Sequence, residues 1–289
     1  MGHPSELSRR GFLAAGLALP VMAVAGCTLQ TERRGATMNP TASSTTSAAP
    51  PTQTLLPEAD IIARYEHAGA HAWGLDVPGI VRTMPAGSRT IALTFDACGG
   101  PKGSRIDEAL LATLQEQNVP ATLFWNKRWI DANPRRAQEI AAYPLFQIEN
   151  HGTSHKPLSV NGRPAYGIAG TANVAELVEE IEGNRRFLRE FLGVESKWFR
   201  SGTAHYDDIA VQIARDLGVA IAGFSVNGDA GATLAARAVT KSLTHSGPGA
   251  IAIMHMNQPG YGTAEGVRAA IPQLREAGFT FVQLGDVSR

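Results

Sequence analysis

The segment TIALTFD, residues 90–96, is a run of β-branched and apolar residues that ends on a carboxylate. Its first six residues carry no charge, which is typical of a strand buried on both faces of a sheet. Six more apolar runs follow it along the chain, at Ala121–Trp125, Phe146–Ile148, Trp198–Phe199, Ala220–Phe224, Ala250–Met254 and Thr280–Leu284. The sequence therefore predicts seven strands, of which Thr90–Phe95 is the first.

Segments with helical periodicity fill most of the gaps between these runs. They are Ile106–Gln117, Pro134–Ala142, Val174–Leu192, Asp207–Leu217, Ala230–Leu243 and Ala264–Ala277. Strands that alternate with helices favour a parallel sheet with helices outside it. We therefore expect an α/β fold, an incomplete or distorted (β/α) barrel with about seven parallel strands.

The composition excludes several classes of protein. The 289 residues include 26 basic and 26 acidic side chains, so the chain lacks the positive excess that nucleic-acid binding requires. Hydrophobic residues make up 44% of the chain, enough for a sizeable core, and two cysteines cannot build a disulfide framework. We expect a monomer with no nucleic-acid partner.

The first 27 residues have the pattern of an export signal. Ser8–Leu13 is a twin-arginine motif, and the apolar run Phe12–Ala25 follows it. Val24–Cys27 resembles a bacterial lipobox, in which the cysteine is acylated. We expect export by the twin-arginine route and a lipid anchor at Cys27 in the cell membrane, facing the cell envelope; the alternative is an ordinary secretory signal with a chance cysteine.

Residues 28–57 have the composition of a disordered linker. Thr41–Thr54 contains only Thr, Ala, Ser, Pro and Gln, so it cannot bury enough apolar surface to offset its ordering entropy. The remaining residues, 58–289, are predicted to form the functional domain.

Polar residues follow the predicted strands in order. They are Asp96 after the first strand, Glu149–His155 after the third, Arg200 after the fourth, Asn227 and Asp229 after the fifth, and His255 after the sixth. In a barrel of this kind, chemistry lies at the carboxyl ends of the strands. The pattern therefore predicts one active site built from these residues.

Over residues 86–289 the sequence resembles the polysaccharide deacetylases, the NodB-homology domain of carbohydrate esterase family four. Thr94–Asp96 is similar to the first motif of that family, Thr-Phe-Asp-Asp, and residues 151–155 to the second, with its hydroxyl moved to Thr153. The remaining matches are Arg200 in the third motif, a weak match of Asp229 in the fourth, and Met254–His255 in the fifth.

The resemblance implies a chemistry. It implies that His151 and His155 bind a divalent metal, usually zinc, that Asp96 is the general base and that His255 is the general acid. Two histidines four residues apart would share one face of a helical turn and reach one ion. A metal with an open position polarises an acetamide carbonyl, and Asp96 beside it could take a proton from water.

Two further residues are expected to position these groups. Arg200 could hold Asp96 ionised through a two-pronged hydrogen bond, and Asp229 could orient His255 and favour its protonated form.

The first motif departs from the family pattern. Ala97 stands where the family has a second, metal-binding aspartate. Three outcomes are open: Cys98, Glu149 or Asp229 completes the coordination; two histidines and waters hold a weaker metal; or the site is empty. For Cys98 we favour a small buried residue that fills space behind the first strand over a thiolate ligand.

Every candidate also has a structural interpretation. The histidine pair could be solvated or capping residues, Asp96 and Asp229 could belong to plain turns, His255 could be a core histidine and Arg200 a structural ion pair. Trp125 and Trp129 could stack on sugars, with buried packing as the default, and His205 and Tyr206 could line the site or cap a helix.

The predicted function is that of a membrane-tethered, metal-dependent amide hydrolase. It would remove N-acetyl, or O-acetyl, groups from an acetylated cell-envelope polysaccharide such as peptidoglycan. Two alternatives stay open: an inactive carbohydrate-binding lipoprotein, and a hydrolase of small acylated amines or cyclic amides.

Overall fold

The computed structural model describes residues 56–85 and 89–287. The predicted signal peptide, residues 1–27 with Cys27, and nearly all of the linker, residues 28–57, lie outside the described residues. Within the described ranges, no helix has both the length and the apolar character that a bilayer crossing requires.

A curled parallel sheet forms the centre of the fold. In chain order the strands are β1 (Trp73–Gly74), β2 (Ile80–Val81), β3 (Thr90–Ala97), β4 (Ala121–Trp125), β5 (Phe146–Asn150), β6 (Trp198–Phe199), β7 (Tyr206–Asp207), β8 (Ala220–Ala222), β9 (Val226–Asn227), β10 (Ala250–His255) and β11 (Thr280–Phe281). Nine of them form one sheet in the order β2-β8-β6-β5-β4-β3-β10-β9, with β11 paired to β3, and β1 pairs antiparallel with β7. The prediction of an α/β, incomplete (β/α) barrel is confirmed.

The sheet has two strands more than the seven that the sequence predicts. These are β2 and β9, which contain two residues each and are therefore too short to show a periodicity. Each is parallel to its neighbour in the sheet, β2 to β8 and β9 to β10.

Eight helices flank the sheet in the described ranges. They are α1 (Glu58–Tyr65), α2 (Glu108–Glu116), α3 (Lys127–Ala132), α4 (Pro134–Ala141), α5 (Val174–Leu192), α6 (Asp208–Asp216), α7 (Ala236–Thr244) and α8 (Thr263–Glu276), with a 3₁₀ turn at Leu284–Val287. The prediction of α5 is correct at both ends. The predicted helix Ala230–Leu243 begins too early, because Ala230 and Ala232 adopt left-handed φ angles of +50° and +59°.

The core explains why β3 is apolar along both faces. Ile91, Leu93 and Phe95 pack into the largest hydrophobic cluster, whereas Ala92 packs into another cluster. Trp125 and Trp129 are fully buried in the largest cluster, with ring centroids 4.9 Å apart. Sugar stacking by these two tryptophans is therefore excluded.

The parallel register brings the predicted polar positions to one edge of the sheet. His255 pairs with Asp96 across β10 and β3. Asn150, the residue before His151, pairs with Phe199, the residue before Arg200. All of these positions lie at the carboxyl ends of their strands, where parallel α/β folds place ligands and chemistry.

Candidate active site

Arg200 and Asp96 form a buried ion pair. Nη1 of Arg200 donates to Oδ1 of Asp96 at 2.8 Å and to Oγ1 of Thr94 at 2.9 Å. Nε and Nη2 instead donate to the carbonyls of Ala222 and Gly223, at 3.1 and 3.2 Å. The prediction of a two-pronged hydrogen bond to Asp96 is therefore wrong, because two backbone carbonyls at the end of β8 occupy the other side of the guanidinium.

This ion pair keeps the Asp96 carboxylate charged. Burial opposes ionisation of Asp96, but the charges of Arg200, His151 and His255 outweigh it, so the pKa of Asp96 is below its ordinary value. Oδ2 of Asp96 lies 3.8 Å from Nε2 of His151, longer than a hydrogen bond. Asp96 thus presents a charged oxygen to the site.

The backbone of Arg200 fixes the ring of His151. Nδ1 of the buried His151 lies 2.8 Å from the carbonyl oxygen of Arg200. Because a carbonyl only accepts hydrogen bonds, Nδ1 carries the hydrogen. Nε2, which faces Asp96 and Cys98, therefore presents a lone pair whenever the ring is neutral.

The segment from His151 to His155 is a loop and not the predicted helical turn. Gly152 and His155 adopt left-handed φ angles of +82° and +63°. The loop still brings the two imidazoles together, with ring centroids 5.0 Å apart and planes at 86°. Nε2 of His155 is buried without a hydrogen-bond partner. The predicted pairing of the rings is present, with a different backbone conformation.

Glu180 of α5 holds this loop in place. Its carboxylate accepts hydrogen bonds from the backbone N–H groups of Ser154 and Lys156, at 2.9 and 3.1 Å, and from the hydroxyl of Thr153 at 2.7 Å. Sequence reasoning missed this residue. The available signal was a glutamate on the buried face of an amphipathic helix, three residues after Leu177 and four before Asn184.

Cys98 lies beside the two histidines. Its Sγ is 3.8 Å from Nε2 of His151, and one donor atom from each of Cys98, His151 and His155 lies within 4.8 Å of the other two. The cysteine is partly exposed and lines a cavity with the Gly99–Gly103 loop. The favoured interpretation of Cys98 as a buried residue filling space behind β3 is therefore wrong.

The other two candidates for completing the coordination are occupied elsewhere. The carboxylate of Glu149 accepts hydrogen bonds from the side chain of Gln147 and from the backbone of Lys197 and Trp198, and burial raises its pKa to about 7. Asp229 binds His255. Within the described residues, the only group of three donors suited to a metal is therefore Cys98 with His151 and His155.

The histidines also affect the thiol. Burial opposes formation of the thiolate, but the charge of His155 and the hydrogen bond with His151 outweigh it. The pKa of Cys98 therefore lies well below its ordinary value.

His255 stands on the other side of the site and is held by Asp229. Nδ1 of His255 lies 2.9 Å from Oδ1 of Asp229, and the backbone N–H of His255 donates to Oδ2 at 2.7 Å. Thr263 donates to the same Oδ2 at 3.0 Å. Burial opposes the charge on His255, but the hydrogen bonds with Asp229 and Cys98 raise its pKa well above the ordinary value. The predicted contact between Asp229 and His255 is present.

Two cavities meet at His255. The first, of about 440 Å³, is lined by Asp96 and His255 together with apolar side chains such as Phe224 and Ile253. The second contains Cys98 and His155 on its walls and also includes His255. The predicted base, the predicted acid and the histidine–cysteine group thus open toward one region.

An exposed aromatic residue stands at the edge of the first cavity. Tyr166 is 78% exposed and packs edge-on against His205, with ring centroids 5.1 Å apart. Tyr206 is fully buried, and its hydroxyl accepts from the backbone of Ser201. Of the pair that the sequence suggested, His205 is therefore near the cavity and Tyr206 belongs to the core.

Comparisons with known proteins agree with this architecture. The polysaccharide deacetylase family model matches residues 83–222, a range that includes Asp96, both loop histidines and Arg200 but ends before Asp229 and His255. No curated protein sequence matches the chain.

Solved structures share the fold. A peptidoglycan N-acetylglucosamine deacetylase is 24% identical, with a TM-score of 0.61 over 72% of this chain and 92% of the other. A family 4 carbohydrate esterase from Bacillus subtilis is 19% identical, with a TM-score of 0.58 over 79% and 87%. A carbohydrate esterase family 4 pseudoenzyme from Bacillus anthracis is 20% identical, with a TM-score of 0.57 over 73% and 69%.

The family match and the shared fold agree with each other. Residues 83–222 match the polysaccharide deacetylase family, and the described residues have the fold of solved family 4 carbohydrate esterases.

Proposed function

We propose that the protein is a metal-dependent hydrolase that removes N-acetyl, or O-acetyl, groups from a cell-envelope polysaccharide such as peptidoglycan. One observation carries the proposal. The charged Asp96 and the Asp229-bound His255 line one cavity at the carboxyl ends of the strands, and Cys98 and His155, which cluster with His151, line a second cavity that shares His255.

The donor set suits a divalent metal, and zinc in particular. One thiol and two imidazoles are ligands that zinc uses. The buried, unpartnered Nε2 of His155 and the hydrogen bond that fixes His151 are the features of ligands prepared for an ion. When bound, such a cation polarises an acyl carbonyl and increases the acidity of a nearby water molecule.

The remaining residues account for proton movement. Asp96 is ionised and has Oδ2 free of the Arg200 bond, so it can accept a proton from the attacking water. His255, kept protonated by Asp229, can donate a proton to the departing nitrogen or oxygen. Because both groups line the same cavity, one bound acyl group can meet both.

The cavity supports a carbohydrate substrate. Its volume of about 440 Å³ can take a sugar-sized group, and most of the residues that line it are apolar or glycine. Tyr166 at its edge offers an exposed ring face for the apolar side of a pyranose. These features favour an acetylated glycan over a small acylated amine or cyclic amide.

A substrate panel tests the proposal. Acetate release is measured from acetylated chitooligosaccharides, peptidoglycan fragments and small amides, with the native chain, Asp96→Asn and His255→Ala. We expect release from a glycan that falls by about 10²–10⁴-fold in each variant. Release from small amides alone would indicate a hydrolase of small acylated amines or cyclic amides. Unchanged turnover in a variant would remove that residue from the mechanism.

A second function is favoured by one residue, Ala97. The missing carboxylate is a change that an inactive, carbohydrate-binding protein could tolerate, and the solved structures of similar fold include a pseudoenzyme. This alternative predicts that the chain retains glycans in a pull-down with and without metal and releases no acetate. Acetate release that requires Asp96 would rule it out.

We also propose that the protein is exported and held to the membrane by a lipid on Cys27. The twin-arginine motif and the lipobox-like Val24–Cys27 support this location, and they make envelope glycan the accessible substrate. Incorporation of a labelled fatty acid should be lost in Cys27→Ser and kept in Cys98→Ser. Labelling of both variants would place the lipid elsewhere.

A further inference from the structure

We propose that the thiolate of Cys98 is a metal ligand in place of the missing carboxylate, and that it makes the site select zinc over oxygen-preferring cations such as Mn²⁺ and Mg²⁺. The inference rests on the metal site of the proposed function. Its test does not depend on hydrolysis.

The end of β3 explains why the ligand would be residue 98 and not residue 97. Side chains alternate across a strand, so Asp96 and Ala97 point to opposite faces of β3, and Cys98 is the first residue after the strand. Ala97 is fully buried in the largest hydrophobic cluster, whereas Asp96 and Cys98 both line cavities. The side chain of Cys98 therefore points away from that hydrophobic cluster, into a cavity that shares His255 with the cavity of Asp96.

The distances agree with a shared ion. A tetrahedral zinc with Zn–S of about 2.3 Å and Zn–N of about 2.0 Å places its sulfur and nitrogen ligands about 3.5 Å apart. Sγ of Cys98 and Nε2 of His151 are 3.8 Å apart, and the three donor atoms lie within 4.8 Å of one another. Only small adjustments of the side chains are needed for all three to contact one cation.

The backbone around Cys98 is fixed by other contacts. Nη2 of Arg128 donates to the Cys98 carbonyl at 2.9 Å, and the N–H of Gly99 donates to the carbonyl of Gly103 at 2.9 Å. Gly99 has φ of +70°, and a Cβ there would lie 2.6 Å from the backbone nitrogen of Trp129. The loop thus requires glycine after the cysteine, which holds Cys98 toward the histidines.

The choice of metal follows from the ligand. Carboxylate, carbonyl and water oxygens suit Mg²⁺ and Mn²⁺, whereas thiolate selects soft or borderline cations such as Zn²⁺. Asp96 is the nearby oxygen donor, but Arg200 holds one of its oxygens, so the carboxylate is only partly available. One sulfur and two imidazoles therefore define a zinc-preferring set.

The first experiment is spectroscopic and uses the full chain. The protein is stripped with a chelator and reloaded with Co²⁺, and the near-ultraviolet band that reports thiolate-to-cobalt charge transfer is recorded. We expect the band in the native chain and in Cys27→Ser, which removes the other cysteine, and its loss in Cys98→Ser. A band that persists in Cys98→Ser, or none in the native chain, would overturn the proposal.

The second experiment identifies the zinc ligands in the native chain and compares its metal preference with that of Cys98→Asp. Zinc-edge X-ray absorption of the native chain should show one sulfur neighbour at about 2.3 Å. In competition titrations, Zn²⁺ should displace Mn²⁺, and Cys98→Asp should reduce the Zn²⁺ over Mn²⁺ preference at least tenfold. Scattering from nitrogen and oxygen alone, or an unchanged preference, contradicts a thiolate ligand.

The two proposals fail in different ways. A zinc–sulfur signal without acetate release from any glycan would defeat the proposed hydrolase and leave the thiolate ligand in place. Acetate release with no sulfur signal would support the proposed hydrolase and defeat the thiolate ligand.

Discussion

Arg200 reaches Asp96 with a single nitrogen, Nη1 at 2.8 Å, and its other two guanidinium nitrogens bind backbone carbonyls at the end of β8. The guanidinium also lies 4.3 Å from the ring centroid of Phe124. The arginine thus joins the first strand of the site to the opposite part of the sheet. It is both a charge partner and a structural connection.

Removing Arg200 should destabilise the protein strongly. Arg200→Ala leaves the buried Asp96 carboxylate and two carbonyls without their donor, and breaking a buried pair in this way costs about 3–5 kcal/mol. The measurement is denaturant unfolding at neutral pH. Arg135→Ala, which breaks an exposed pair with Glu139, is the control and should cost about 0–1 kcal/mol. Equal losses in both variants would contradict a special role for Arg200.

Removing the charge of Asp229 should shift the pH profile. The Asp229 carboxylate raises the pKa of His255, so the protonated donor persists to higher pH in the native protein. In Asp229→Asn the pKa of His255 falls. The alkaline limb of the kcat profile for acetate release should therefore shift to lower pH. Asp131→Asn, an exposed residue paired with Lys127, should leave the profile unchanged. An alkaline limb that does not move would show that His255 is not the titrating acid.

Glu180 should control metal affinity without touching the metal. In Glu180→Gln, one of the two oxygens that accept from the backbone N–H groups of Ser154 and Lys156 becomes an amide nitrogen, which cannot accept, so the loop that carries both histidines loosens. Loss of such supporting contacts typically costs about 10–100-fold in metal affinity. Competitive zinc titration is the measurement.

The neighbouring Glu179 provides the matched control for that experiment. Its side chain is 60% exposed and pairs with Arg186, so Glu179→Gln should retain native affinity. A Glu180 variant that binds zinc as tightly as this control would show that the loop holds its shape without the carboxylate.

Tyr166 should contribute to the binding of an acetylated oligosaccharide. Tyr166→Ala removes an exposed ring at the cavity edge. One stacking contact of an aromatic ring is worth about 0.5–1.5 kcal/mol. We expect KM for an acetylated oligosaccharide to rise about 2–10-fold, with kcat unchanged. Tyr143→Ala, which removes another exposed tyrosine that lies outside the cavity, is the control. The proposed stacking role is wrong if both variants behave alike.

Most of the fold was predictable because β3, β4 and α5 are long and have strong local patterns. The strand ends then followed from the chain order, which is why Asp96, Arg200 and His255 could be expected at one edge. The short strands β2 and β9 could not be found in this way, because two residues carry no periodicity.

The details of the site depend on contacts distant in sequence. Whether Cys98 faces the core or the cavity depends on where β3 stops and on the loop packing of Gly99. Glu180 acts on residues 24–27 positions earlier in the chain, and Arg200 shares its nitrogens with carbonyls 22–23 positions later. No local pattern encodes these partners.

The anchor of His151 is a main-chain oxygen, the carbonyl of Arg200, whereas the partner of Asp96 is the side chain of that same residue. A point mutation at position 200 can therefore erase the charge partner but cannot delete the oxygen that orients the imidazole. Loss of the Arg200 side chain alone would therefore remove the support of the proposed proton acceptor and leave the main-chain acceptor of the His151 imidazole in place.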